Sequence, residues 1–159
     1  MQFFTIGVFN SSEDEFFQKL VENNIDTFCD IRQRRGVRGS KYAFVNNQRL
    51  QKKLSELQIK YAHIIKLAPT NEIRQLQKDV DLVNKELKTE RKQLGTIFKY
   101  QYKTKILSGF NFENFFDQLD NAGSSRVVLF CVEEIADACH RSLVAQQLKD
   151  QFGYQVTNL

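Results

Sequence analysis

The residue types best suited to chemistry crowd into one short segment, Val127-Val128-Leu129-Phe130-Cys131-Val132-Glu133-Glu134-Ile135-Ala136-Asp137-Ala138-Cys139-His140-Arg141-Ser142. An apolar, β-prone run leads into a polar stretch and then into a helix-forming one. The segment therefore reads as strand, loop and helix start. In parallel α/β sheets, ligands sit outside the carboxyl ends of the strands. A helix start presents unpaired N–H groups and the positive end of its dipole. Arg141 at that place would add a two-pronged donor suited to phosphate, sulfate or carboxylate, and Ser142 would cap the helix or donate to the same anion. Cys131 and Cys139 would lie in an electropositive field, which favours the thiolate. On this reading Cys131 is the candidate nucleophile, His140 or Glu133 moves protons, and Cys139 belongs to the pocket. The plainer alternative makes Cys131 a small core residue and pairs Arg141 with Glu133 or Asp30.

A second constellation is Asp30-Ile31-Arg32, followed by a Gly-rich basic stretch holding Arg34, Arg35, Arg38 and Lys41. If the sheet is parallel, Asp30 and Arg32 share an edge with Cys131. Arg32 would then bind the anion with Arg141, and Asp30 would orient it. The four further cations would form a rim that gathers anions or tracks a polynucleotide; otherwise they are a solvated loop. Tyr42 and Phe44 would stack on a base or tuck under the loop as core. The basic residues between Lys78 and Lys105 alternate with acids and read as a solvated helix face.

No metal is expected. Cys29, Cys131, Cys139 and His140 are soft ligands, but structural zinc sites pair their ligands at tight spacing. Here the two later cysteines are eight apart, and Cys139 and His140 are neighbours, whose side chains rarely meet at one ion. No cofactor is implied either.

These residues have to be positioned by a fold. The chain has 159 residues and 14 Phe, enough for one domain, 1–159, with its own core. A net charge of +4 and a pI of about 9.0 favour an anionic partner without naming it. Three cysteines, an odd number, point to free thiols and a reducing, cytoplasmic setting. No apolar run approaches a membrane span.

The expected elements are a strand over Phe3–Val8, a helix capped by Ser12 and Glu15, and a strand over Asp26–Ile31. This strand–helix–strand unit implies parallel pairing and a right-handed crossover. A helix over Asn47–Leu57 and a strand over Ile59–Ile64 follow. The stretch from Asn71 to Leu107 is helical and charged. Its apolar face is Ile73, Leu76, Val80, Val83 and Leu87, and a second part from Leu94 carries Phe98, Tyr102 and Ile106. Then come a Phe-rich helix over Asn111–Leu119, a strand over Arg126–Cys131, a helix over Ser142–Gln151 ended by Gly153, and a last strand within Tyr154–Leu159. The whole predicts a three-layer, Rossmann-like α/β domain with a mostly parallel sheet and a helical insertion around 71–107.

In sequence the chain resembles the domain of unknown function 488 family. The likeness rests on Thr5-Ile6-Gly7, Asp30-Ile31-Arg32, Tyr61-Ala62-His63 with Leu67 behind, Cys131 and Glu133, and Cys139-His140-Arg141-Ser142, in order along the chain. It departs in Ile31, where Val is usual, and in lacking a Pro-rich stretch after Arg32. The resemblance implies a common pocket in a Rossmann-like fold; it supplies no reaction. A fainter analogy links the strand-end Cys and the later Arg-Ser to rhodanese and Cys-phosphatase domains, although ten positions from Cys131 to Arg141 make a looser loop. The resulting expectation is an anion pocket for a nucleotide, nucleic acid or other phosphate-bearing substrate. Two readings stand beside it: a non-catalytic nucleic-acid-binding module, and a thiol protein for sulfur transfer or redox work. The residues leave open whether the chain is an enzyme and whether it forms oligomers.

Overall fold

Nearly every side chain in the first, second and fourth strands is buried, as a parallel sheet with both faces covered requires. The computed structural model, which describes residues 1–87 and 90–159, contains five strands: β1 (Gln2–Ile6), β2 (Thr27–Asp30), β3 (Lys60–His63), β4 (Arg126–Phe130) and β5 (Val156–Asn158). All pair in parallel, in the order β3-β2-β4-β1-β5. β1 and β2 are not neighbours: β4 lies between them, paired to both.

Helices cover both faces, which makes three layers. On one face α1 (Glu13–Glu22) sets Phe16 against Phe28 and Phe130, and α2 (Asn47–Glu56) packs beside it. Ser12 and Glu15 close the expected capping box at the start of α1. On the other face α5 (Phe112–Asn121) brings Phe115 and Phe116 onto Phe3, next to α6 (Arg141–Phe152). Gly153 ends α6 in the left-handed conformation, at φ 69°.

The insertion is two helices, α3 (Asn71–Asn84) and α4 (Thr96–Lys105), packed on each other. The continuous helical face expected from Ile73 to Leu87 holds only at its start. Ile73 is buried, whereas Val83 is 83% exposed and Leu87 is also exposed. The helix ends at Asn84, and Lys85 takes a left-handed conformation, so the last apolar positions fall beyond the packed turns. The expected helical stretch also runs through residues 88 and 89, outside the described ones.

Candidate functional site

In a parallel sheet every strand delivers its C-terminal residue to the same edge. The register sets Asp30 beside Phe130, so the residues following each strand, Arg32 on one side and Cys131 to Glu133 on the other, meet there. A third segment joins them, because the amides of Val8 and Phe9 both donate to the Val132 carbonyl. This approach requires Gly7: a Cβ there would lie 2.0 Å from the Glu133 carbonyl oxygen.

Asp30 is fully buried and grips Arg32 with both oxygens. Nε donates to Oδ1 at 2.9 Å and Nη2 to Oδ2 at 2.7 Å. Nη2 also reaches the Val45 carbonyl. Arg32 lies 4.5 Å over the Phe130 ring, is 4% exposed, and its Nη1 has no hydrogen-bond partner among the described residues. Tyr61 and His63 complete the grip. The Tyr61 hydroxyl donates to Asp30 Oδ2 at 3.0 Å, and His63 Nε2–H donates to the Arg32 carbonyl at 2.9 Å. Burial and the Asp30 charge push the Tyr61 phenol up to about 12, so it stays a donor. The Tyr-x-His segment, visible in the sequence only as part of a resemblance, is thus the brace of the Asp-x-Arg.

On the other side Cys131, Cys139 and His140 come together, all buried. His140 Nε2–H donates to the Ile31 carbonyl at 3.1 Å, because a carbonyl can only accept. Nδ1 therefore faces the two thiols, at 3.8 Å from each sulfur. The expectation that the adjacent Cys139 and His140 diverge fails for a local reason. Cys139 is extended (φ −134°, ψ 145°) and His140 already helical (φ −59°, ψ −18°), so the chain turns between them and strand alternation does not apply. Burial alone would raise the Cys139 thiol and lower the His140 imidazole. The hydrogen bond from Cys131 and the His140 and Arg141 charges outweigh it for Cys139, which is held well below the usual thiol range. Cys139, Glu133 and the Ile31 carbonyl raise His140 in turn. Cys29 belongs elsewhere: burial and the Asp30 and Asp26 charges push it up to about 12.

Arg141 is in the expected region but turned to other work. It is 1% exposed; Nη1 donates to the Glu133 carbonyl and Nη2 to the Glu134 carbonyl at 2.7 Å. Its fork holds the 133–134 backbone, and Ser142 Oγ donates to the Cys139 carbonyl. Arg91 reaches the site from afar and pairs with it. Nη2 lies 3.3 Å from Glu133 Oε1, Nη1 bonds Asp81 at 2.8 Å, and Nε and Nη2 donate to the Ala138 carbonyl. The reading of 78–105 as a solvated face is corrected at this residue, which is 6% exposed. Nothing in its local sequence marks it. Spacing marks Tyr102 only as a helix-face residue; its ring lies 5.5 Å from His140, and its hydroxyl donates to the Leu67 carbonyl.

A cavity of about 580 Å³ opens at this edge. Of the expected site residues, Arg32, Arg34, Arg38, Cys131, Glu133, Cys139 and His140 line it, joined by Arg74, Lys78 and Arg91, with Phe9, Tyr42, Leu94 and Phe98 as apolar wall. Asp30 lies behind Arg32. Arg35, Lys41, Arg141 and Ser142 are not among the lining; Lys41 borders a separate recess with Asn10 and Arg49. Phe44 is core, against Phe16 and Phe17. No helix among the described residues is long and apolar enough to cross a membrane.

A family model described as domain of unknown function DUF488 matches residues 12–148. No curated protein and no solved structure matches the chain.

Proposed function

The chain belongs to the DUF488 family, and from that premise we propose that its cavity binds a small phosphate-bearing ligand of nucleotide size. One observation carries the reading: Arg32, Arg34, Arg38, Arg74, Lys78 and Arg91 line a single recess in which, among the described residues, the lining acids are Asp81 and Glu133, with Asp30 behind Arg32. Such a recess concentrates anions, and guanidinium groups suit phosphate oxygens. Its volume lies within the roughly 300–1,000 Å³ usual for small-molecule sites. The aromatic wall of Phe9, Tyr42 and Phe98 suits a flat ring next to the phosphate, which favours a nucleotide over inorganic phosphate. All six border one recess, Arg32 and Arg91 buried in its wall and Arg34, Arg38 and Lys78 exposed at its rim, a placement that suits one small anion better than a polynucleotide. Cys131, Glu133 and His140 would be the groups nearest to act on it.

Titration calorimetry with mononucleotides and with single-stranded RNA, at two salt concentrations, tests this. Arg74→Ala and Lys78→Ala each remove a cavity cation and should weaken mononucleotide binding about 10-fold or more, as expected for a lost charged hydrogen bond of ~1.5–3 kcal/mol. Arg35→Ala and Lys41→Ala, outside the cavity, should leave it unchanged. The reverse pattern, with RNA binding whose salt slope falls by about 0.7 per lost cation, would mean a polynucleotide surface. No binding of either ligand would end the proposal.

A further inference from the structure

We propose that Cys131, Cys139 and His140 form a binding site for a zinc-class divalent cation, with a fourth position that, among the described residues, opens toward the cavity. The two Sγ atoms and His140 Nδ1 all lie within 4.8 Å of one another, and both sulfur–nitrogen separations are 3.8 Å. A tetrahedral ion with Zn–S of about 2.3 Å and Zn–N of about 2.0–2.1 Å needs ligand separations of roughly 3.5–3.8 Å. The three donors therefore need only small side-chain shifts to close on an ion.

Three further features point the same way. The Ile31 carbonyl takes the Nε2 proton of His140, which fixes the tautomer that leaves Nδ1 as a ligand. An outer hydrogen bond of this kind is what metal-bound imidazoles characteristically make. Two thiolates and one imidazole are soft to borderline donors, which select zinc over magnesium or calcium. All three residues line the cavity, and three protein ligands with one side open is the pattern of reactive zinc, where structural zinc is closed by a fourth. Glu133 Oε2 sits 3.3 Å from Cys131 Sγ. The site stands independently of the anion reading: it needs neither Arg74 nor Lys78.

The test uses the full chain, kept reduced, stripped with chelator and titrated with Co²⁺ alone. The expected result is one ion per chain, with thiolate-to-cobalt charge-transfer absorption and the intense visible bands of four-coordinate cobalt, both bleached by one equivalent of Zn²⁺. Cys139→Ser and His140→Ala should weaken binding by at least about 100-fold, beyond the 10–100-fold typical of an outer-shell change. Cys29→Ala should leave the spectrum intact. If the ligand variants do not fold, X-ray absorption of the zinc-loaded wild type decides, through a shell of two sulfurs and one imidazole. Absence of the thiolate bands, a weak six-coordinate spectrum, or loss of the site in Cys29→Ala would overturn the assignment. Because metal uptake is read without nucleotide, and nucleotide binding on stripped protein, failure of one proposal is distinguishable from failure of the other.

Discussion

Strand β2 is bounded by two aspartates four residues apart, and they do opposite things. Asp26, at the N-terminal edge of the sheet, is half-buried. It accepts from the Ser125 amide and hydroxyl, the Arg126 amide and the Thr27 hydroxyl. All of its partners are neutral donors, and its work is to tie the turn before β4 to β2. Asp30, at the C-terminal edge, is fully buried and spends both oxygens on Arg32 and Tyr61. One carboxylate closes an edge; the other positions a cation on a cavity wall. The difference lies in what the parallel topology brings to each end. Backbone amides of the incoming chain meet at one edge, and the loops that leave the strands gather at the other.

The comparison can be broken most forcefully at Asp30. Asp30→Ala leaves Arg32 buried without its counter-charge and should destabilise the fold by about 3–5 kcal/mol, read by urea unfolding. A loss under 1 kcal/mol would mean that Arg32 simply turns to solvent. Arg141→Ala should cost about 2–4 kcal/mol, from the cavity left behind and the two carbonyls stripped of donors. A variant that keeps its stability yet loses only ligand binding would restore Arg141 to the role its sequence context first indicated. Gly7→Ala forces a methyl against the Glu133 carbonyl and should cost roughly 1–3 kcal/mol, with hydrogen exchange rising at the Val8 and Phe9 amides that donate to the Val132 carbonyl.

Asp26→Asn sharpens the other side of the contrast. Burial opposes the charge on Asp26, but its hydrogen bonds from Ser125, Thr27 and Arg126 outweigh it and depress its pKa. A depressed carboxylate stabilises the fold above its unfolded value, ~3.9, and loses that contribution as pH falls through the folded one. The substitution should therefore cost about 1 kcal/mol at pH 7, after solvent screening, and progressively less below pH about 4. A cost independent of pH from 7 to 3 would show that the amide replaces the carboxylate without regard to charge. The smallest effect on stability belongs to the exposed rim: Arg34→Ala and Arg38→Ala should each stay within about 0.5 kcal/mol, whatever they do to binding. A larger loss would mean that the loop is part of the folded core.

Much of the framework was legible because it is written in local spacing. The Ser12–Glu15 box, the apolar run of β4 and the Gly at the end of α6 each need only a few residues to specify an element. Those elements in turn predicted a parallel sheet whose edge would bring Asp30, Arg32 and Cys131 together. What spacing could not express was direction. The helix start marks Arg141 as a donor to a ligand, but the loop it closes presents the Glu133 and Glu134 carbonyls, which its guanidinium satisfies instead. Its charged neighbours mark Arg91 as solvated. Only the return of the chain after α3 carries it under the cavity to Glu133 and Ala138, 42 and 47 residues onward.

The same division holds for the three soft ligands. Their identity, and their place at the junction of strand, loop and helix, were fixed by the order of residues alone. Their convergence depended on the turn from extended to helical backbone between Cys139 and His140, and on the Ile31 carbonyl arriving from just beyond β2 to hold the ring. A sequence pattern determines which segments become buried, since hydrophobicity and periodicity act over a single turn or strand. Which polar groups then face one another is settled by the packed whole, because every buried donor and acceptor must find its partner from wherever in the chain the fold delivers one.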